Sequence, residues 1–448
     1  MQETLSTGLL AGPGGLFGLV FAAAVLASLA VKLWLGNRQM RHVAAHRDTV
    51  PTAFEGTVTL AAHRRAAAYT LANGRHAMLG QAMAAAVLLG WTLLGGLDQL
   101  NTTLRDALLA DRGPMAYQLA LLSAFSLIGG LIDLPLAWFH TFRIEQRFGF
   151  NRMTLKMWVA DGLKGLAVGA AIGLPLAALI LWIMGSSGGW WWLWAWVAWT
   201  AFNLLLMMVY PTLIAPLFNK FQPLEDESLK ARVTALMQRC GFAAKGLFVM
   251  DGSKRSAHAN AYFTGLGAAK RVVFYDTLLK QLSPGEVEAV LAHELGHFKH
   301  RHVLKRMAMI FGLSLAGLAL LGWLAAHSGF YSGLGVAPNL AAPNDALALL
   351  LFMLALPPFA FFLGPLMAHL SRRDEFQADA YACAQADGRD LASALLKLHE
   401  DNAATLTPDP VYVRFYYSHP PASERLQALR QWLRPVPAPN ANPPLAAG

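Results

Sequence analysis

Long apolar stretches alternate with polar ones along this chain, and the apolar stretches exceed what a soluble core requires. Seven of them, near 15–35, 77–97, 116–139, 162–184, 190–212, 307–326 and 346–367, hold almost no Arg, Lys, Asp or Glu. Each has the roughly 20 residues that a helix needs to cross a hydrocarbon layer of about 30 Å. The pattern therefore predicts seven transmembrane helices. The longest polar insertion, 213–306, predicts a helix over 228–239, short strands over 246–250 and 271–275, and an extended segment over 256–264. Gly265-Leu266-Gly267 reads as a hairpin turn, too short a pattern for nucleotide binding. A second polar segment, 368–434, predicts helices over 372–382, 387–402 and 421–433, and the Pro/Ala/Asn-rich tail 435–448 predicts disorder. The chain thus divides into a transmembrane region 1–212, a polar segment 213–306, a transmembrane hairpin 307–367, a polar segment 368–434 and the tail.

Composition agrees: 55% of residues are hydrophobic and 14% charged, and mean hydropathy is +0.39. Charge then orients the spans. The first loop carries Arg38, Arg41, Arg47, Arg64, Arg65 and Arg75, and the third carries Arg143, Arg147, Arg152 and Lys156. In the second, Arg105 and Arg112 face Asp98, Asp106 and Asp111, while loops 185–189 and 327–345 have no Lys or Arg. The positive-inside rule puts the odd loops and the C-terminus in the cytoplasm and the N-terminus outside. The net charge of +9 is then a membrane-surface property, and no nucleic-acid partner is expected. Trp190, Trp191, Trp192, Trp194, Trp196 and Trp199 suit an interfacial belt at the start of the fifth span. The first span follows Glu3 rather than a basic region and runs to Leu35, so it is not expected to be a cleaved signal. Cys240 and Cys383 fall on the cytoplasmic side, where thiols stay reduced. Asn101-Thr102-Thr103 matches a glycosylation acceptor, a short and common pattern.

The chemistry centres on His293-Glu294-Leu295-Gly296-His297. Ser283, Pro284 and Glu286 announce a capped helix, on which His293 and His297 share a face and converge on one metal ion, with Glu294 beside them to handle its water. A third ligand is needed, and Glu375 fits: the Glu375-x-x-x-Asp379 spacing puts both carboxylates on one helical face. Asp379 would then hold the far nitrogen of a ligand histidine, His293 first. Along a continuous helix His297 lies about 16 Å before the sixth span, and Glu375 about 12 Å after the seventh. Both motifs then emerge at one height on the cytoplasmic side, and the substrate approaches from the bilayer.

These residues, in this order, resemble the integral-membrane zinc endopeptidases called CAAX prenyl protease 1, the type I CAAX endopeptidases. The likeness runs through 142–151, 210–224, Gly252-Ser253-Lys254-Arg255-Ser256, Asn260-Ala261-Tyr262-Phe263, the HELGH helix, Glu375-Phe376-Gln377-Ala378-Asp379, Ser418-His419-Pro420-Pro421 and Glu424-Arg425-Leu426. It implies a mainly α fold: a seven-helix transmembrane bundle enclosing a large chamber, capped by a cytoplasmic, zincin-like α+β metalloprotease domain. It implies one Zn2+ per chain on His293, His297 and Glu375, with Glu294 as general base. His419 and Arg425 match positions that contact substrate and stabilise the tetrahedral intermediate, and Asn260, with Ala261 and Tyr262, lies beside an extended substrate. The implied substrate is a peptide or prenylated peptide, losing its last three residues after the prenylated cysteine, and a monomer is expected. The Ala-rich sequence, with no endoplasmic-reticulum retrieval signal, points to a bacterial inner membrane, where quality control of membrane proteins is the alternative role. A transporter would want charged residues or broken helices at mid-membrane, of which the spans show little apart from Pro135, Pro175, Pro357 and Pro358, and an idle scaffold would want Glu294 or a ligand lost, and neither is lost.

Overall fold

The computed structural model describes residues 13–242, 246–264, 271–339 and 342–433. The turn expected at 265–267, the tail 435–448 and the segment around Glu3 lie outside the described residues. The apolar stretches fold as long helices: α1 (Pro13–His46), α2 (Leu60–Trp91), α3 (Gly96–Phe139), α4 (Leu155–Ser186) and α5 (Trp191–Val209). Six helices among the described residues are long and apolar enough to cross a membrane. The helix α2 is equally long, but the polar residues His63, Arg64, Arg65, Arg75 and His76 fill its first half, and it is not among those six. Large apolar side chains such as Leu163, Trp182, Leu205, Leu313 and Met353 point outward, as on surfaces solvated by lipid rather than water.

One expectation about a loop is corrected: residues 98–112, read as a loop, are helical and form the first part of α3, which is broken at Gly113 (φ +80°) and Pro114. Leu97 and Asn101 bury one face of this stretch, which is why it packs instead of spanning water as a loop. Asn101 is fully buried; it accepts a hydrogen bond from the Tyr117 hydroxyl and faces Asn339 at 3.5 Å. It is therefore closed to a glycosyl group in this fold.

The first polar insertion forms β1 (Phe221–Pro223), α6 (Glu227–Arg239), β2 (Leu247–Met250), β3 (Ala261–Thr264), β4 (Arg271–Tyr275), α7 (Asp276–Gln281) and α8 (Pro284–Lys299). The described sheet runs β1-β2-β4-β3, with β2 and β4 parallel and the outer pairs antiparallel. The strand β3 stands at its edge, Ala261 opposite Phe274 and Thr264 opposite Arg271. A core of Leu236, Val272, Phe274, Val287, Leu291 and Leu295 packs sheet and helices together.

After α8 the chain does not continue as a helix into the sixth span. Arg301 adopts the left-handed conformation (φ +57°) and breaks the helix, and α9 (His302–Ala325) starts as a separate element. The separation of about 16 Å expected along a continuous helix therefore does not hold. Beyond α9, α10 (Ser328–Gly333) packs on α1: a Cβ at Gly18 would lie 2.7 Å from the Gly333 carbonyl oxygen. The last apolar stretch is α11 (Asp345–Ala360), which bends after Pro357 and Pro358 through one tight turn at Phe361–Leu363 into α12 (Gly364–Gln385). α13 (Gly388–Asp401), α14 (Pro410–Tyr416) and α15 (Ala422–Leu433) complete the C-terminal segment. The basic loops join this soluble end: Arg38 Nε donates to Asp409 Oδ1 at 2.9 Å, and Arg65 to the Phe148 carbonyl at 2.7 Å.

Candidate metal centre

The metal-binding helix is fixed at its start by its own residues. Ser283 Oγ accepts from the Glu286 amide, and Glu286 Oε2 accepts from the Ser283 amide at 2.7 Å, closing the expected capping box. Glu286 also takes bonds from Ser393 (2.6 Å) and Lys397 (2.7 Å), tying α8 to α13. Further along, Gly296 turns towards α12. A Cβ there would meet Ala378 Cα at 2.8 Å and its carbonyl oxygen at 3.1 Å. Glycine on one helix and alanine on the other thus let two backbones approach closely enough for their side chains to meet around a single point.

At that point stand His293, His297 and Glu375. The two Nε2 atoms are 3.3 Å apart; Glu375 Oε2 is 3.4 Å from His293 Nε2, and Oε1 is 3.3 Å from His297 Nε2. Donors about 2.0–2.1 Å from a tetrahedral zinc ion are separated by about 3.3–3.4 Å, and each of these spacings falls in that range, the two to Glu375 being made by its two different oxygens. Glu375 Oε2 is buried, with His293 Nε2 3.4 Å and His419 Nδ1 2.8 Å away. A buried carboxylate facing imidazole nitrogens is a set of donors that a cation satisfies. The residues present fit a zinc ion.

The surroundings hold the donors in place. His293 Nδ1 donates to Asp379 Oδ1 at 2.9 Å, the partnership expected from the sequence. Arg425 grips that carboxylate with Nε (2.8 Å) and one terminal nitrogen (2.5 Å). Burial opposes a charge on His293, but Asp379 and Glu375 outweigh it and raise its pKa to about 9, so without a cation a proton occupies the site. Burial also works against the Arg425 charge, and Asp379 overrides it. Arg425 is 7% exposed and committed to Asp379, with one nitrogen 3.7 Å from Glu375 Oε2. His419, with 65% of its side chain exposed, stands on the open side.

Glu294 and His297 line a largely apolar cavity of about 1220 Å³, with Leu206 from α5, Tyr210 just beyond it and Tyr262 from β3. Tyr262 therefore joins the metal residues. Asn260 instead turns back, its Oδ1 accepting from the Ala261 amide at 2.8 Å, and Ala261 packs on the soluble core. Two residues were not singled out in the sequence. Arg372, one turn before Glu375, donates to the Val413 and Tyr417 carbonyls at 3.0 and 2.7 Å, and so anchors the chain just before His419. His302 lies against His297, with Nδ1 atoms 3.0 Å apart. Its signal was present, a histidine five residues beyond a ligand, but only the break at Arg301 makes that spacing meaningful.

A three-donor metal site with an adjacent glutamate, on a chain built largely of membrane-length helices, defines a multi-pass membrane metalloprotease. Comparison with known proteins gives the family. Residues 39–220 match the model described as "CAAX prenyl protease N-terminal, five membrane helices", and 223–433 match "Peptidase family M48". The chain is 32% identical to CAAX prenyl protease 1 of Saccharomyces cerevisiae over 92% of this chain and 94% of that one. It is 33% identical to the Homo sapiens CAAX prenyl protease 1 homolog over 68% and 72%. The crystal structure of S. mikatae Ste24p superposes with a TM-score of 0.86 at 32% identity, covering 92% of this chain and 98% of that one. The chain belongs to the CAAX prenyl protease 1 family, and it is a membrane metalloendopeptidase. These relatives are eukaryotic, so they lend no support to the expected bacterial inner membrane.

Proposed function

We propose that the chain is a zinc endopeptidase that removes the last three residues of prenylated peptides at the cytoplasmic face of its membrane. The observation that carries this reading is the triangle of His293, His297 and Glu375 beside a large apolar cavity that also exposes Glu294. Zinc in that ligand set supplies Lewis acidity, bringing a water's pKa to about 7 and polarising a carbonyl. Glu294 takes the proton of the attacking water and returns it to the departing amine. His419, on the open side of Glu375, donates to the oxygen that becomes negative. Arg425 acts through Asp379, which holds His293 with its Nε2 turned inward. A peptide adding to the free edge of β3 would be read through its backbone, with Tyr262 beneath it and Asn260 at the strand's start. Seven crossings, with α2 as the one of mixed polarity, and a chamber around the cavity agree with this reading. The bond from Arg38 to Asp409 supports a common, cytoplasmic side for the basic loops and the metal site. The apolar lining suits an isoprenoid chain.

The test is cleavage of a quenched-fluorescent farnesylated CAAX peptide by detergent-purified protein, beside its unprenylated counterpart. Cleavage of the farnesylated peptide that disappears in Glu294→Gln and after chelation supports the proposal. Equal cleavage of both peptides removes the prenyl requirement, and full activity of a metal-loaded Glu294→Gln overturns the mechanism.

A further inference from the structure

Each ligand histidine has a second ring nitrogen, and the two are treated differently. His293 hands its Nδ1 proton to a carboxylate, Asp379. His297 has no carboxylate at that position. Its Nε2 faces His293 Nε2 and Glu375 Oε1, so the metal-facing lone pair is on Nε2 and the proton of the neutral ring is on Nδ1. That Nδ1 lies 3.0 Å from His302 Nδ1. Two nitrogens at this distance share one proton, so His302 must accept, with its own proton on Nε2. His302 Nε2 is 3.0 Å from Gln377 Oε1, an acceptor, and 3.5 Å from Asp374 Oδ1. Every proton in the chain from His297 to Gln377 is thereby assigned by its neighbours. His302 is 2% exposed, so water does not offer it another arrangement.

We propose that His302 is the positioning residue of the second histidine ligand: it accepts the His297 Nδ1 proton and is held in the accepting tautomer by Gln377. Its place at the first position of α9 follows from the left-handed turn at Arg301, which folds the chain back onto α8. The helix α12 then serves both imidazoles. Glu375 is the shared donor, Asp379 orients His293, and Gln377 orients His302 and through it His297. One residue before Glu375, Asp374 reinforces the same Nε2 proton.

This inference rests on the metal-site reading above, and metal affinity separates the two. A wild-type chain that binds no Zn2+ tightly ends the site reading itself. With wild-type binding established, His302→Leu, His302→Asn and Gln377→Leu are compared in the full-length purified protein. Zn2+ affinity is read by competition with a chromogenic chelator, and ligand geometry by the visible spectrum of the Co2+-loaded protein. His302→Leu is expected to weaken Zn2+ binding about 10- to 100-fold and to alter the Co2+ bands. His302→Asn keeps a carbonyl oxygen near the lost Nδ1 and is expected to recover most of the affinity. Gln377→Leu frees the tautomer and is expected to fall between wild type and His302→Leu. A His302→Leu protein with wild-type affinity and spectrum overturns the proposal. So does His302→Asn behaving no better than His302→Leu, which would reduce the residue to packing. Should His302→Leu fail to fold, His302→Asn and Gln377→Leu decide: wild-type affinity with His302→Asn and a loss with Gln377→Leu support the proposal, and any other pairing overturns it.

Discussion

Replacing Gly296 by alanine adds one methyl group at the tightest place in the molecule that matters for the metal. The new Cβ would lie 2.8 Å from Ala378 Cα, 3.1 Å from its carbonyl oxygen and 3.2 Å from its Cβ, whereas ordinary contact begins near 3.4 Å. Backbone stands opposite, so no flexible side chain can yield; the helices must separate by about 0.6 Å (3.4 less 2.8 Å). Overpacking of this kind costs about 1–3 kcal/mol, which a protein of this size tolerates. The metal site does not, because ligand distances are held to about 0.2 Å. Separation of α8 from α12 moves Glu375 away from both histidines together. Gly296→Ala should therefore fold, with a modestly lowered melting temperature, and bind Zn2+ at least about tenfold more weakly. Adding Ala378→Gly should restore only part of the affinity, since it removes the opposing methyl group and leaves the nearer backbone carbon in place. Chelator competition and thermal unfolding in detergent would be measured on the same preparation. Wild-type Zn2+ affinity in Gly296→Ala would refute the claim that backbone approach at this glycine sets the ligand geometry.

Other outcomes follow from the same packing and pairing. Arg425→Ala leaves the buried Asp379 carboxylate with His293 alone as its partner and should destabilise the protein by at most about 3–5 kcal/mol, whereas Arg425→Met with Asp379→Leu should recover much of that stability while still losing Zn2+ affinity; calorimetry and chelator competition test the pair. Arg372→Met releases the carbonyls that anchor the chain before His419, and both it and His419→Ala should lower kcat with little change in metal content. A metal-free site whose His293 has a pKa of about 9 exchanges a proton for the cation, so apparent Zn2+ affinity should rise as pH increases from 6 and level off near 9, as read by titration at several pH values. With a folded value above the ordinary 6.5, the charged His293–Asp379 pair stabilises the metal-free protein fully below pH 6.5, and that contribution is lost as pH rises through 9. Thermal unfolding of chelated protein at pH 6 and pH 9 shows the difference.

The sequence carries the local parts of this account and loses the non-local ones. Helical periodicity is enough to bring His293 and His297 together, since four residues make one turn, and a capping box is a short-range device legible from Ser283 and Glu286. Glu375 and Asp379 are likewise legible as one face. What no periodicity records is which helix face meets which. That α8 and α12 touch at Gly296 and Ala378 is a tertiary fact, and that a break at Arg301 carries His302 back to His297 depends on one residue in a conformation that arginine seldom adopts. The stretch 98–112 reads as a loop because its charges mask an apolar face that only the partner helices reveal. Arg425 reads as a surface charge on a short helix until Asp379 is placed beside it.

The order in which the centre is assembled is itself a form of restraint. His293 and His297 belong to the polar segment 213–299, whereas Glu375 comes 78 residues after His297, beyond two apolar helices and the bend at Pro357–Pro358. During synthesis the two histidines and Glu294 are made first, with a site that lacks its carboxylate donor. At about 5–20 residues per second the interval lasts several seconds. Until Glu375 has been made, the nascent chain carries only two of the three donors.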